Sequence, residues 1–184
     1  MSKPDSTALN RQQIAKTLRL TGWVGFWTQL VLAIVSSIIL IFASFTSQSA
    51  NSRSTNPGTS TGLLLAICGL CVLYGSIYWA FRYTRVARQL EALDTESRPK
   101  RADTLRVIWV GAGGNLGGML LTLLGAEAIV GGLLAKLSQS QGVLSDLSRV
   151  QFLDILVVQA NINTILAQFV GVSAALWLLN RLSK

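Results

Sequence analysis

Residues 107–137 read VIWVGAGGNLGGMLLTLLGAEAIVGGLLAKL. Before Lys136, the stretch contains one ionisable acid or base, Glu127. A helix rises about 1.5 Å per residue, so about 20 such residues cross a hydrocarbon core about 30 Å thick. Three more runs of this kind occur, giving predicted spans at about 22–42, 62–81, 107–135 and 155–179. The chain therefore reads as all-α, a polytopic membrane protein with four transmembrane helices. Its 184 residues leave room for one membrane unit and no separate soluble domain.

Within the third span, Gly111, Gly118, Gly125 and Gly132 recur every seven residues, with Gly114 and Ala128 beside them. On a helix they form a smooth stripe, and small residues let neighbouring helices approach closely in lipid. Gly111, Gly114, Gly118, Gly125 and Gly132 are thus the candidate packing residues. Gly113 and Gly117 offer a second groove. Asn115 lies about 9 Å deeper than Trp109, and Glu127 about 27 Å from it, near the opposite interface. A carboxylate there reaches water, whereas one at mid-membrane depth would mark function.

Lys and Arg total 16 against 8 Asp and Glu, a net charge of +8. These charges crowd the flanks of apolar runs, so topology explains them and no nucleic-acid partner is expected. Histidine is absent, which removes the commonest metal ligand. Cys68 and Cys71 share a helical face inside a predicted span. Apolar surroundings disfavour a thiolate, so the pair reads as packing residues rather than a redox or metal motif. GAGGNLGG lacks the preceding strand and the Lys-Ser/Thr of a phosphate loop. No nucleophile–base pair is evident. The chain is expected to be no enzyme and to carry no cofactor.

Residues 1–21 read as an N-terminal arm, and residues 22–184 as the membrane domain. Thr7 can cap a short amphipathic helix through about Leu20, with Leu9, Ile14 and Leu18 on one side. It would lie on the membrane surface or hold the first span in place. The first apolar run is too long for a signal sequence, and no transit sequence precedes it. Trp23 and Trp27 share a face, and Gln29 lies about 9 Å deeper than Trp23. Residues 45–60 form a Ser/Thr/Asn-rich loop with a turn expected at Pro57-Gly58. Arg98-Pro99 should break the charged segment 82–106, and residues 143–147 could make a short interfacial turn.

The fourth span is the most polar. At about 100° per residue, Gln159 and Asn163 fall on one side, and Asn161, Thr164 and Gln168 nearly opposite. Gln168 lies about 13 Å in from Trp177, near the midplane. Such a helix belongs at the centre of a bundle or in an oligomer. The candidate transport or interhelical residues are Gln29, Asn115, Glu127, Gln159, Asn161, Asn163, Thr164 and Gln168.

Thirteen of the 16 Lys and Arg residues fall in the N-terminal arm, segment 82–106 and the C-terminal tail. The positive-inside rule then puts both termini on the cytoplasmic or stromal side. Trp23, Trp79, Trp109 and Trp177 mark the same ends of their spans.

FWTQLV at 26–31, Arg101-Ala102-Asp103, LLGAEAIVG at 123–131 with Ala135-Lys136, and LDILVVQANINT at 153–164 together resemble one family. Phe169 and Gly171 extend the last motif. This is the family of unknown function that includes a chloroplast inner-envelope protein, described both as a translocon component and as an iron permease. The resemblance covers nearly the whole chain after Ile14. It implies four membrane helices and no enzymatic chemistry. Cyanobacterial members lack a plastid transit peptide, as this chain does, which implies a cyanobacterial thylakoid or plasma membrane. For a metal transporter, Glu127, Gln159, Asn163 and Gln168 would be the polar residues, with Glu127 the one candidate metal ligand. Oxygen atoms would then hold a hard or borderline cation.

Two functions follow. One is transport, with iron or another small cation as substrate. The other is a non-catalytic accessory or assembly subunit of a larger photosynthetic or protein-translocation complex. Membrane lipids and either a second copy or other membrane subunits are the expected partners.

Overall fold

The computed structural model describes residues 3–49, 57–91, 101–138 and 152–183. They form four helices: α1 (Lys3–Ser49), α2 (Pro57–Glu91), α3 (Arg101–Ser138) and α4 (Phe152–Ser183). Each contains a stretch long and apolar enough to cross a membrane: Gln12–Phe45, Thr61–Gln89, Ala102–Ala135 and Ile155–Arg181. The fold is all-α. The helices run up, down, up and down, each against its neighbours in a ring, and α4 also returns to α1. Of the two diagonals, α2 and α4 approach more closely.

The buried positions reveal why these sequences pack. On α3 they include Thr104, Ile108, Gly111, Asn115, Gly118, Thr122, Gly125 and Ile129. On α2 they include Gly62, Ala66, Gly69, Leu73, Ser76, Ala80, Tyr83 and Ala87. Both series alternate steps of four and three, a mean period of 3.5. That period keeps one seam facing a neighbour in a left-handed bundle. The sevenfold glycine spacing of α3 is this seam, and the helices close where it is smallest. A methyl on Gly125 would lie 3.1 Å from the Ala66 nitrogen and 3.1 Å from the Gly62 carbonyl oxygen.

Size and polarity are arranged inside out. Gln29, Gln168 and Thr122 are fully buried, while Leu20, Ile38 and Phe45 are more than half exposed. In water this surface would drive aggregation. Against lipid tails it is solvated, and the interior holds by close approach and hydrogen bonding.

The N-terminal arm departs from expectation. No separate short amphipathic helix exists, because α1 runs unbroken from Lys3. The four-three register continues back through Gly22, Leu18 and Ala15. Leu18 packs with Tyr83, Val86, Ala87, Ile108 and Leu178, and Ile14 borders the same cluster. The apolar side expected to touch a membrane surface is thus used within the bundle. Pro57-Gly58 is not a free turn either. Pro57 opens α2, where its missing N–H would have had no partner in the helix. Cys68 and Cys71 are free and exposed on the outer side of α2 rather than packed. The linker around Arg53, the Arg98-Pro99 break and the turn at 143–147 lie outside the described residues.

The two ends of the bundle differ in charge. Lys16, Arg19, Arg82, Arg85, Arg88, Arg106 and Arg181 are all exposed at the end where α1 begins and α4 finishes. Trp23, Trp109 and Trp177 ring that end, about half exposed.

The glycine seam yields a test with opposite signs. A methyl on Gly62 would meet the Gly125 carbonyl oxygen at 2.9 Å, whereas one on Gly75 meets nothing within 4 Å. Gly62→Ala should lower stability by about 1–3 kcal/mol through overpacking. Gly75→Ala should be neutral or gain up to about 1 kcal/mol from helix propensity. Thermal unfolding of the detergent-solubilised protein reads both. Equal stability of the two variants would contradict the tight α2–α3 contact.

Candidate functional site

The buried polar side chains gather along the bundle axis. Gln29 on α1 is fully enclosed. Its Nε2 donates to Asn115 Oδ1 on α3 at 2.8 Å and to the Ala167 carbonyl on α4 at 3.2 Å. Asn115 Nδ2 donates to the Gly111 carbonyl of its own helix at 2.9 Å. The pattern is self-consistent: turning either amide over would set acceptor against acceptor or donor against donor. Both carbonyls use a lone pair left over from the helix ladder. One glutamine thereby ties three helices together and spans the α1–α3 diagonal. Gly171 makes room, since a methyl there would overlap both the Gln29 and the Asn115 amides.

Further along the axis, Gln168 Nε2 on α4 donates to the Gly69 carbonyl of α2 at 3.1 Å. Gly118 of α3 closes directly on the Gln168 amide, and a methyl there would also meet Val72 Cγ1 at 2.8 Å. Ser36 Oγ donates to the Ala160 carbonyl at 3.0 Å, joining α1 to α4. Thr122 and Thr164 bond back to carbonyls of their own helices, Gly118 and Ala160, each at 2.9 Å. Apolar clusters lie between these layers: Ala33, Leu73, Ile77 and Ala167 in one, and Leu40, Ala66 and Ala160 in the next.

Among the described residues, three buried side-chain atoms have no hydrogen-bond partner: Gln29 Oε1, Gln168 Oε1 and Asn161 Nδ2. A buried polar atom left without a partner costs about 1–3 kcal/mol in general, so these are the points of residual polarity in the interior.

The remaining candidates lie elsewhere. Gln159 is exposed and its Nε2 donates to Asn163 Oδ1 at 3.2 Å, an amide pair on the outer flank of α4. Glu127 is exposed on the side of α3 opposite its buried seam. It therefore does not converge with Gln159, Asn163 or Gln168, and the ligand set implied for a cation is not assembled within one bundle. Among the described residues, no group of three His, Cys, Asp or Glu is placed to hold a metal ion. Of the candidate packing glycines, Gly111, Gly118 and Gly125 are buried and Gly132 is half-buried. Gly114 is exposed, with only the Ser76 hydroxyl near a methyl placed on it, at 3.9 Å.

Ser36, Thr122 and Gly69 take part in this interior but were not singled out from the sequence, and Gly171 was noted only within a family motif. Their signal is the register: each falls on the four-three series of its helix.

Comparison with known proteins adds context. The model of the family described as "Protein of unknown function (DUF3611)" matches residues 8–183. Protein TIC 21, chloroplastic, of Arabidopsis thaliana is 36% identical over 182 residues. The match covers 91% of this chain and 59% of that protein, so the chain spans about three fifths of its relative. No solved structure matches significantly. The relative is a chloroplastic protein, which overturns the expected cyanobacterial thylakoid or plasma membrane.

The Gln29–Asn115 bond can be measured by a double-mutant cycle of Gln29→Leu and Asn115→Leu. A coupling energy between about 0.6 and 2 kcal/mol is expected for an interhelical amide pair. Gln159→Leu, on the outer flank, should change stability by no more than about 0.5 kcal/mol. Additive losses in the cycle would mean that the two amides do not bond.

Proposed function

The chain belongs to the family described as a protein of unknown function (DUF3611), and on that premise we propose that it is a non-catalytic membrane subunit of a transport assembly. The observation that carries this reading is the state of the interior amides. Gln29, Asn115 and Gln168 are spent on bonds from helix to helix, with Gly171 and Gly118 closing directly on them. That arrangement is a clamp. It holds four helices together and leaves the outer faces for other proteins. Glu127 and the Gln159–Asn163 pair are polar groups on those outer faces. Contact with a second copy or with other subunits would satisfy them better than lipid does. The similarity to Protein TIC 21 supports a chloroplast membrane as the setting. By the positive-inside rule, the basic end, where α1 begins and α4 finishes, faces the stroma.

A second reading, permeation of iron or another small cation, is favoured by the unpartnered Gln29 Oε1 and Gln168 Oε1. Two carbonyl oxygens inside the bundle are hard donors suited to such an ion.

Reconstitution separates the two. In proteoliposomes loaded with a metal-sensitive dye, the purified protein should pass Fe²⁺ no faster than empty vesicles do. In mild detergent it should migrate from its native membrane together with other membrane proteins. Fe²⁺ flux that Gln168→Leu abolishes in a folded variant would replace the subunit reading with permeation.

A further inference from the structure

At the basic end, α2 and α3 border a cleft of about 430 Å³. Its walls include Tyr78, Phe81, Arg82 and Arg85 from α2, and Asp103 and Thr104 from the first turn of α3. Tyr78, Arg82 and Arg85 recur at helical spacing, so they share a face. The order along that face is amphipathic. Tyr78 and Phe81, both partly exposed, lie toward the apolar span, and the two arginines toward the end of the helix.

Arg82 is held in place. Its guanidinium carbon lies 5.0 Å from the centre of the Trp79 ring. That ring is itself fixed, because Trp79 Nε1 donates to the Val107 carbonyl of α3 at 2.8 Å. A guanidinium stacked on a locked indole has already given up much of its rotamer freedom. Its planar fork matches the paired oxygens of a phosphate. Trp79 and Trp109 also set the depth of the cleft, since tryptophan prefers the headgroup level of a bilayer.

The charge of the lining narrows the ligand. Among the described residues, Arg82 and Arg85 share the walls with one carboxylate, Asp103. One net positive charge suits a singly charged phosphodiester, and Asp103 disfavours a doubly charged phosphate. The volume lies within the usual range for small-molecule sites, about 300–1,000 Å³, and suits a headgroup rather than whole acyl chains. Chains would leave the cleft over Tyr78 and Phe81 into the lipid.

We propose that this cleft binds the phosphodiester headgroup of an anionic glycerophospholipid, with Arg82 and Arg85 holding the phosphate. Basic pockets between membrane helices are known to serve this purpose. The site would fix the α2–α3 pair at the membrane surface and orient the bundle toward the leaflet on its basic side.

The test uses delipidated full-length protein in detergent, read by native mass spectrometry. It is titrated with phosphatidylglycerol, phosphatidylcholine and inorganic phosphate. Wild type should retain one phosphatidylglycerol more tightly than phosphatidylcholine and bind inorganic phosphate weakly. The Arg82→Gln/Arg85→Gln variant should lose about thirtyfold in phosphatidylglycerol affinity. Arg88→Gln/Arg181→Gln removes the same charge from the same end and should leave that affinity unchanged. Equal losses in the two double variants would reduce the effect to general surface charge and overturn the site. Equal retention of both lipids by wild type would overturn it without recourse to any variant. Tighter binding of inorganic phosphate than of phosphatidylglycerol would assign the cleft to a free anion and overturn the lipid.

Discussion

The bond from Gln29 to Asn115 crosses the bundle between two helices whose backbones do not touch. In lipid, apolar side chains gain little by leaving the tails for one another. Association must therefore come from close packing and from polar groups with no other outlet. Gln29 supplies the second directly, reaching α3 through Asn115 and α4 through the Ala167 carbonyl. It also requires the first, since only a glycine at position 171 leaves room for the two amides. Ring closure of α1 and α4, the small residues of the seams and the buried position of Gln168 all fit round that constraint.

The seams supply the close packing. Glycine and alanine at steps of three and four bring backbone against backbone, as Gly62 and Gly125 do between α2 and α3. Many large side chains point outward, among them Leu120, Leu124, Ile38 and Phe169, where lipid solvates them. Inside, polar layers alternate with the Ala33–Leu73–Ile77–Ala167 and Leu40–Ala66–Ala160 clusters. This interior favours fixed geometry, because the amide nitrogens of Gln29, Asn115 and Gln168 each have a specific backbone or side-chain partner. Such rigidity suits the subunit role proposed above.

The basic end is built from arginines on helices that continue beyond the apolar spans, with tryptophans beneath them. There α2 and α3 leave a cleft in which Arg82 is braced on Trp79, while Leu18, Tyr83, Ile108 and Leu178 close the core beside it. Polar groups on the outer faces include Glu127, the Gln159–Asn163 pair and the Ser37–Tyr74 pair, away from the inner amides. Inner amides, outer polar groups and the basic cleft thus occupy separate parts of the bundle.

What the sequence determined by itself was the class of protein, the number of apolar helices and the division of α4 into two polar sides. These depend on local quantities: transfer free energy summed over about 20 residues, and about 100° of turn per residue. Counting from Trp23 and Trp109 also put Gln29 and Asn115 at the same depth, about 9 Å in. Only the tertiary structure decided that these two meet, because a partner across a diagonal depends on four helices at once. It likewise decided that Gly111 and Gly118 face inward while Gly114 does not, that Cys68 and Cys71 face outward, and that Leu18 enters the core instead of a membrane surface. Periodicity marks a stripe on a helix, but which stripe is buried follows from the neighbour it fits.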